Sequence, residues 1–125
     1  MNRIEFFKYL FLLPFTRLFP ASKPKGVVIY SGYVAGFQFH EGNDILRLFS
    51  INETLTLKRQ PKNKYDERAI EVFWKAHKIG YIKMDDNLVL ANMLDGKINL
   101  DARVAVIDRD KPDWEKVEVN VHLSV

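Results

Sequence analysis

Residues 59–74 read "RQPKNKYDERAIEVFW". The second half alternates: Ile70, Val72 and Trp74 fall on one face and Ala69, Glu71 and Phe73 on the other, the period-2 pattern of a strand with one buried side. The first half has almost no apolar side chains and carries Pro61, Asn63 and Asp66, residues that set or cap turns through a fixed φ or a side-chain hydrogen bond to the backbone. A charged turn therefore feeds a strand. "KAHK" (75–78) then allows a reversal into "IGYIK" (79–83), so a β-hairpin is expected across Lys75 to Lys78.

The pattern continues in both directions. Upstream, "ETLTLKR" (53–59) alternates Leu55 and Leu57 with Thr54, Thr56 and Lys58, and "VVIYSGYVAG" (27–36) is β-branched and aromatic before ending in glycine. Both read as half-buried strands. Downstream, "DDNLVLANMLDG" (85–96) offers Asp85, Asp86 or Asn87 as an N-cap, Leu88, Ala91 and Leu94 at helical spacing, and Gly96 where a helix ends. "ARVAVID" (102–108) and "EKVEVNVHLSV" (115–125) follow as an antiparallel pair joined by the polar turn "RDKPD". Several strands, one helix and two closing strands with short connections predict a mainly β fold. A small OB-like antiparallel β-barrel, closed or partly open, accommodates that order, with a half-open sandwich as the alternative.

The chain has 125 residues, 47% of them hydrophobic and 13% aromatic, which supplies one core and not two. There is no cysteine, which excludes disulfides and thiolate metal sites and favours a reducing compartment. No phosphate-cradling glycine loop and no nucleophile turn is present. His40, His77 and His122 lack ligand-like spacing, and the pairs Asp85–Asp86 and Asp108–Asp110 read as helix caps and turns. The expectation is a non-enzymatic module without metal or cofactor.

The net charge of +3 conceals an uneven distribution. Residues 1–26 hold five cations against Glu5, a local +4, so the remainder sums to −1. Within that remainder, Lys58 to Lys83 holds eight cations against Asp66, Glu67 and Glu71, a local +5, and its flanks are acidic. A basic middle between acidic flanks is the asymmetry a polyanion site requires, although a solvated turn region has the same composition.

The N-terminal stretch "IEFFKYLFLLPFTRLF" (4–19) is dense in Phe and Leu, but its longest uncharged run, Tyr9 to Thr16, is eight residues and includes Pro14. About 20 apolar residues are needed to span a bilayer, and "FPASKP" is a poor signal-peptide cleavage site. Residues 4–19 remain open to two roles: peripheral membrane contact with Arg3, Lys8 and Arg17 toward headgroups, or docking on their own domain or on a partner protein. "PASKPKG" (20–26) reads as a linker. The chain thus divides into an apolar segment with linker, 1–26, and a β domain, 27–125.

The run Arg59, Pro61, Asn63, Tyr65, Asp66, Ala69, Ile70 and Val72 resembles the R-x-P-x-N-x-Y-D-x-x-A-I/V-x-V signature of the HIRAN domain family. "AGFQFHEG" (35–42) is similar to that family's glycine-aromatic-glycine segment after the first strand, and "KIGYI" (78–82) to its hairpin return strand. The resemblance covers about residues 27–123. It implies a modified OB-like barrel that, in helicase-like members, captures the 3′-hydroxyl end of single-stranded DNA. Carried onto this chain, Phe39 and Tyr65 would stack on bases and Asp66 would accept a hydrogen bond from the terminal hydroxyl. Gln38, His40, Asn63 and Tyr81 would line the pocket, and Lys58, Lys62, Lys64 and Lys83, with Arg59 beside them, would face phosphates. Where helicase-associated members carry a basic residue and paired tyrosines in the glycine segment, this chain has Gln38, Phe39 and His40. The implied role is single-stranded DNA binding in repair or replication, in the cytoplasm or at a membrane. The alternative is a protein-interaction or membrane-peripheral module working through residues 4–19.

Overall fold

The computed structural model describes Lys23 and residues 26–124. The expectations for residues 4–19, and most of the linker, lie outside the described residues. Six strands form one antiparallel sheet: β1 Val27–Tyr33, β2 Thr54–Arg59, β3 Ile70–Trp74, β4 His77–Tyr81, β5 Leu100–Ile107 and β6 Val117–Leu123, in the spatial order β1-β6-β5-β2-β3-β4. The sheet is not closed. Its two edges, β1 and β4, meet at one bridge between Ala35 and Tyr81, so it curls into an open, OB-like form rather than a complete barrel. Among the described residues no helix is long and apolar enough to cross a membrane.

The expected hairpin is present and tighter than "KAHK" implied: Trp74 pairs with His77, leaving Lys75 and Ala76 as the connection, with Lys75 at φ 55. The expected helix is α2, Leu88–Asp95, beginning after Asn87 and ending at Gly96, whose N–H bonds the Asn92 carbonyl. The connection between β1 and β2 is more helical than its glycines suggest. It contains a 3₁₀ turn at Phe37–Phe39, the short helix α1 at Gly42–Ile45 and a 3₁₀ turn at Leu46–Leu48. Phe37, Leu46 and Phe49 from this connection enter the core, which is why so short a segment holds its shape.

The core lies inside the curl. Ile70 and Val72 of β3 and Val117, Val119 and Val121 of β6 are essentially inaccessible, as the alternation predicts, and Val34, Ile79, Ile82 and Val104 join them; β3 is not open on its other face, however, since Ala69 and Glu71 are buried as well. Each such side chain contributes about 1.5–3 kcal/mol by leaving water. β1 departs from expectation. Val27, Val28 and Ile29 are exposed rather than half-buried, and β1 is an edge strand whose one strand neighbour in the sheet is β6.

Candidate nucleic-acid interface

The turn between β2 and β3 is built by the polar residues of its own sequence. Gln60 N–H bonds the Ala69 carbonyl at 2.9 Å and Ala69 N–H bonds the Asp66 carbonyl at 3.1 Å, closing the base of the loop. Inside it, Asn63 Oδ1 accepts from the N–H groups of Tyr65 at 2.9 Å and Asp66 at 3.0 Å, while Asn63 Nδ2 donates to Gln60 Oε1 at 2.7 Å. Asp66 Oδ1 accepts from Arg68 N–H at 3.0 Å. These are Asx-type bonds, in which a short side chain replaces a backbone partner. Tyr65 takes no part in the turn's packing: it is 80% exposed, with Lys64 Nζ 5.2 Å from its ring centre.

Asp66 also ties this loop to α2. Its Oδ2 accepts from Asn87 Nδ2 at 2.7 Å, and Asn87, at the start of α2, is only 1% exposed. Asn87 Oδ1 is buried with no hydrogen-bond partner. A carboxylate has about four lone-pair sites, so with two bonds made Asp66 retains acceptor capacity.

Arg59 sits apart from the lysines in its environment. Its Nε and Nη2 bond the two carboxylate oxygens of Asp95 at 2.9 and 3.3 Å, Nη1 bonds the Ala69 carbonyl at 2.8 Å, and Nη2 bonds the Glu67 carbonyl at 3.0 Å. With its side chain 15% exposed, it clamps the far side of the loop to the end of α2. Lys58, Lys62, Lys64 and Lys83 are all exposed.

The glycine segment supplies a second exposed aromatic. Gly36 adopts φ 70, a left-handed conformation natural to glycine, and starts the turn that sends Phe37 inward and Phe39 outward. Phe37 is 0% exposed and Phe39 79%. Gln38 is half-buried, with Oε1 buried and unpartnered, and His40 lies 5.7 Å from the Tyr81 ring. The 3₁₀ turn Asp113–Glu115 packs against this segment and presents exposed Trp114 beside it. Lys116 fixes that turn, pairing with Asp113 at 2.7 Å and donating to Asn43 Oδ1 at 3.1 Å.

Tyr81 joins the two sides. Its backbone exchanges hydrogen bonds of 2.8 and 2.9 Å with Ala35, just before the Phe39 turn. Its hydroxyl donates to Gln60 Oε1 at 3.1 Å, just before the Tyr65 turn, and accepts from Lys78 Nζ at 2.6 Å. Lys78 in turn pairs with buried Glu71 at 3.2 Å. Burial works against the Lys78 charge, but the Tyr81 hydroxyl and Glu71 carboxylate outweigh it and hold the ammonium above its ordinary value. His40 moves the other way, lowered by burial first and by the Lys78 charge second.

The structure thus places Gln38, Phe39 and His40 on one loop and Asn63, Tyr65 and Asp66 on another, both fastened to Tyr81 at the end of β4. Such a surface can stack planar groups on Phe39 and Tyr65, accept a hydrogen bond at Asp66 and neutralise phosphates with the surrounding lysines. Among the described residues no group of three His, Cys, Asp or Glu is placed to hold a metal ion. Four participants were not singled out from the sequence. Gln60 and Lys78 are polar residues in a turn and a hairpin, where a solvated role has the same appearance. Asn87 reads as a helix cap. Trp114 alone carried a signal, as a large aromatic residue in an otherwise polar loop.

The HIRAN domain family matches residues 27–125. A crystal structure of a protein from Lactobacillus plantarum is similar at 27% identity and a TM-score of 0.67, covering 76% of this chain and 91% of its own. The crystal structure of the HIRAN domain of human HLTF shares the fold, with a TM-score of 0.60 at 23% identity over 74% of this chain and 71% of that one. No protein of curated function matches.

Proposed function

The chain belongs to the HIRAN domain family, a family of nucleic-acid-binding domains, and from that premise we propose that it binds single-stranded DNA and recognises the 3′-hydroxyl end, in DNA repair or replication. The binding unit in this proposal is residues 27–125, with residues 1–26 appended to it. The observation that carries it is the pair Phe39 and Tyr65. Two aromatic side chains about four-fifths exposed, on loops held to the same strand, contribute little to the core and present two flat faces to solvent.

In this reading the two terminal bases stack on Phe39 and Tyr65, each worth roughly 1–3 kcal/mol. Asp66 accepts the hydrogen bond of the terminal hydroxyl, its carboxylate oriented by Asn87 and the Arg68 N–H. Asn63 and Tyr81 hold the two loops in place, while Gln38 and His40 border the bases. Lys58, Lys62, Lys64 and Lys83 attract the backbone, and four phosphate contacts to a single strand give a log–log salt slope of about −3. Arg59 acts as a brace for the loop.

The test is fluorescence anisotropy of the full chain with a labelled oligonucleotide ending in a 3′-hydroxyl, against the same strand ending in a 3′-phosphate. Asp66→Asn is the variant to compare, because Asn87 can turn its unpartnered Oδ1 toward the new amide and keep the loop intact. The expected result is tighter binding of the hydroxyl end by wild type and equal, weaker binding of both by Asp66→Asn. Equal affinity of wild type for both ends refutes end recognition, and absence of binding to either refutes the DNA proposal.

A further inference from the structure

An apolar groove lies between the outer side of β1 and the exposed side of α2, and DNA binding as proposed does not use it. Ile29, Tyr30 and Ser31 form one wall, and Val89, Leu90 and Met93 the other, with Asp86 at the end. Val89 is 60% exposed, and Val27 and Val28, next to Ile29 in sequence, and Met84 and Leu88, flanking Asp86, are exposed apolar residues as well. Ile29 is the extra residue of a β-bulge between Val28 and Tyr30, which takes it out of the ladder with β6. Along Val27–Tyr33, β1 has no second strand neighbour among the described residues. A groove with apolar side chains on both walls is the kind of surface that marks a contact.

We propose that residues 4–19 of the same chain dock in this groove. Three observations favour this occupant. First, the segment ends seven residues before β1. A linker of that length reaches roughly 23 Å when extended, at about 3.3 Å per residue, whereas α2, with eight residues, is only about 12 Å long. The tether therefore spans the whole groove and supplies an effective concentration in the millimolar range. Second, the chemistry matches: Phe6, Phe7, Leu10, Phe11 and their neighbours are apolar like the groove walls. Third, Lys8 and Arg17, with Arg3 just before the segment, outnumber Glu5, while exposed Asp86 lines the groove and exposed Asp85 adjoins it in sequence. Docking covers the β1 surface that the sheet leaves open.

Amide hydrogen exchange of the full chain, read by mass spectrometry at two protein concentrations and with or without vesicles of phosphatidylcholine and phosphatidylglycerol, tests the proposal. The variant is Val89→Asp, which puts a charge in the groove at an exposed position and leaves the core untouched. The expected result is at least tenfold slowing of exchange in residues 4–19, independent of concentration, lost in Val89→Asp while β5 and β6 keep their protection. Exchange at the free-peptide rate in wild type overturns the proposal. So does protection unaffected by Val89→Asp, protection that grows with concentration and so reports a second copy, or protection seen only with vesicles.

Discussion

Phe37 and Phe39 are two residues apart in one 3₁₀ turn, and truncating each to alanine separates folding from binding. Phe37 is 0% exposed, packed in the core. Phe37→Ala removes its burial and leaves a cavity, a loss of about 3–5 kcal/mol, which is a large part of the roughly 5–15 kcal/mol that holds a domain together. Phe39 is 79% exposed. Phe39→Ala takes almost no area out of the core, so its folding free energy changes by less than about 0.5 kcal/mol. Loss of one stacked base costs about 1–3 kcal/mol, or about 5- to 150-fold in affinity at 1.4 kcal/mol per decade. Urea unfolding followed by tryptophan fluorescence gives the first quantity, and anisotropy with a 3′-hydroxyl oligonucleotide the second. The expected pattern is a large fall in urea midpoint with Phe37→Ala alone and a large rise in Kd with Phe39→Ala at an unchanged midpoint. Wild-type affinity in a fully folded Phe39→Ala protein refutes the assignment of Phe39 as a stacking surface.

Asn63→Ala deletes three hydrogen bonds of the β2–β3 turn at about 0.5–1.5 kcal/mol each, so a stability loss of roughly 1.5–4.5 kcal/mol is expected in thermal or urea melts. A loss under about 0.5 kcal/mol would show that the turn forms without its side-chain bonds. Gly80→Ala places a Cβ 2.4 Å from the Ala35 carbonyl oxygen at φ +153; it should open the Ala35–Tyr81 bridge and accelerate exchange of those two amides, and unchanged exchange refutes the close approach. His40, with its folded value below the ordinary 6.5, binds fewer protons folded than unfolded, so its contribution lowers stability as pH falls below about 6.5. Bound phosphates oppose that shift, so DNA affinity should rise from pH 7.5 to 5.5 and the His40 component should vanish in His40→Gln. An identical pH profile in the variant removes His40 from the interface.

Most of the fold was legible because its strands obey a simple period. Ile70, Val72 and Trp74 alternate with residues of the other face, as do Val117, Val119 and Val121, and the structure buries each where the pattern requires. The α2 helix lies where Asp85, Asp86 or Asn87 and Gly96 were expected to bound it, but Asn87 makes no side-chain capping bond and turns its amide to Asp66 instead. β1 was misjudged because β-branched composition reports strand propensity and not position, and only the strand order reveals it as an edge. Phe37 and Phe39 illustrate the same limit at the site. Both are phenylalanines in a glycine-flanked segment, and only the left-handed Gly36 and the resulting turn decide which enters the core. Gln60, Lys78 and Asn87 were hidden because their partners are 21, 3 and 21 residues away, and a hydrogen bond leaves no periodic trace in sequence.

The Ala35–Tyr81 bridge has a thermodynamic consequence. Phe39 and Tyr65 hang from loops on either side of a seam where the reciprocal Ala35–Tyr81 peptide hydrogen bonds, and the Glu41 N–H donating to the Lys78 carbonyl, join β4 to the β1–β2 connection. Opening that seam changes the distance between the two rings, so a ligand spanning both favours the closed sheet by the difference in its affinity for the two states. Because such coupling is reciprocal, every change that tightens or loosens the seam, however far from the ligand, is felt as a change in affinity. The rim of the sheet is in this sense part of the ligand's binding equilibrium.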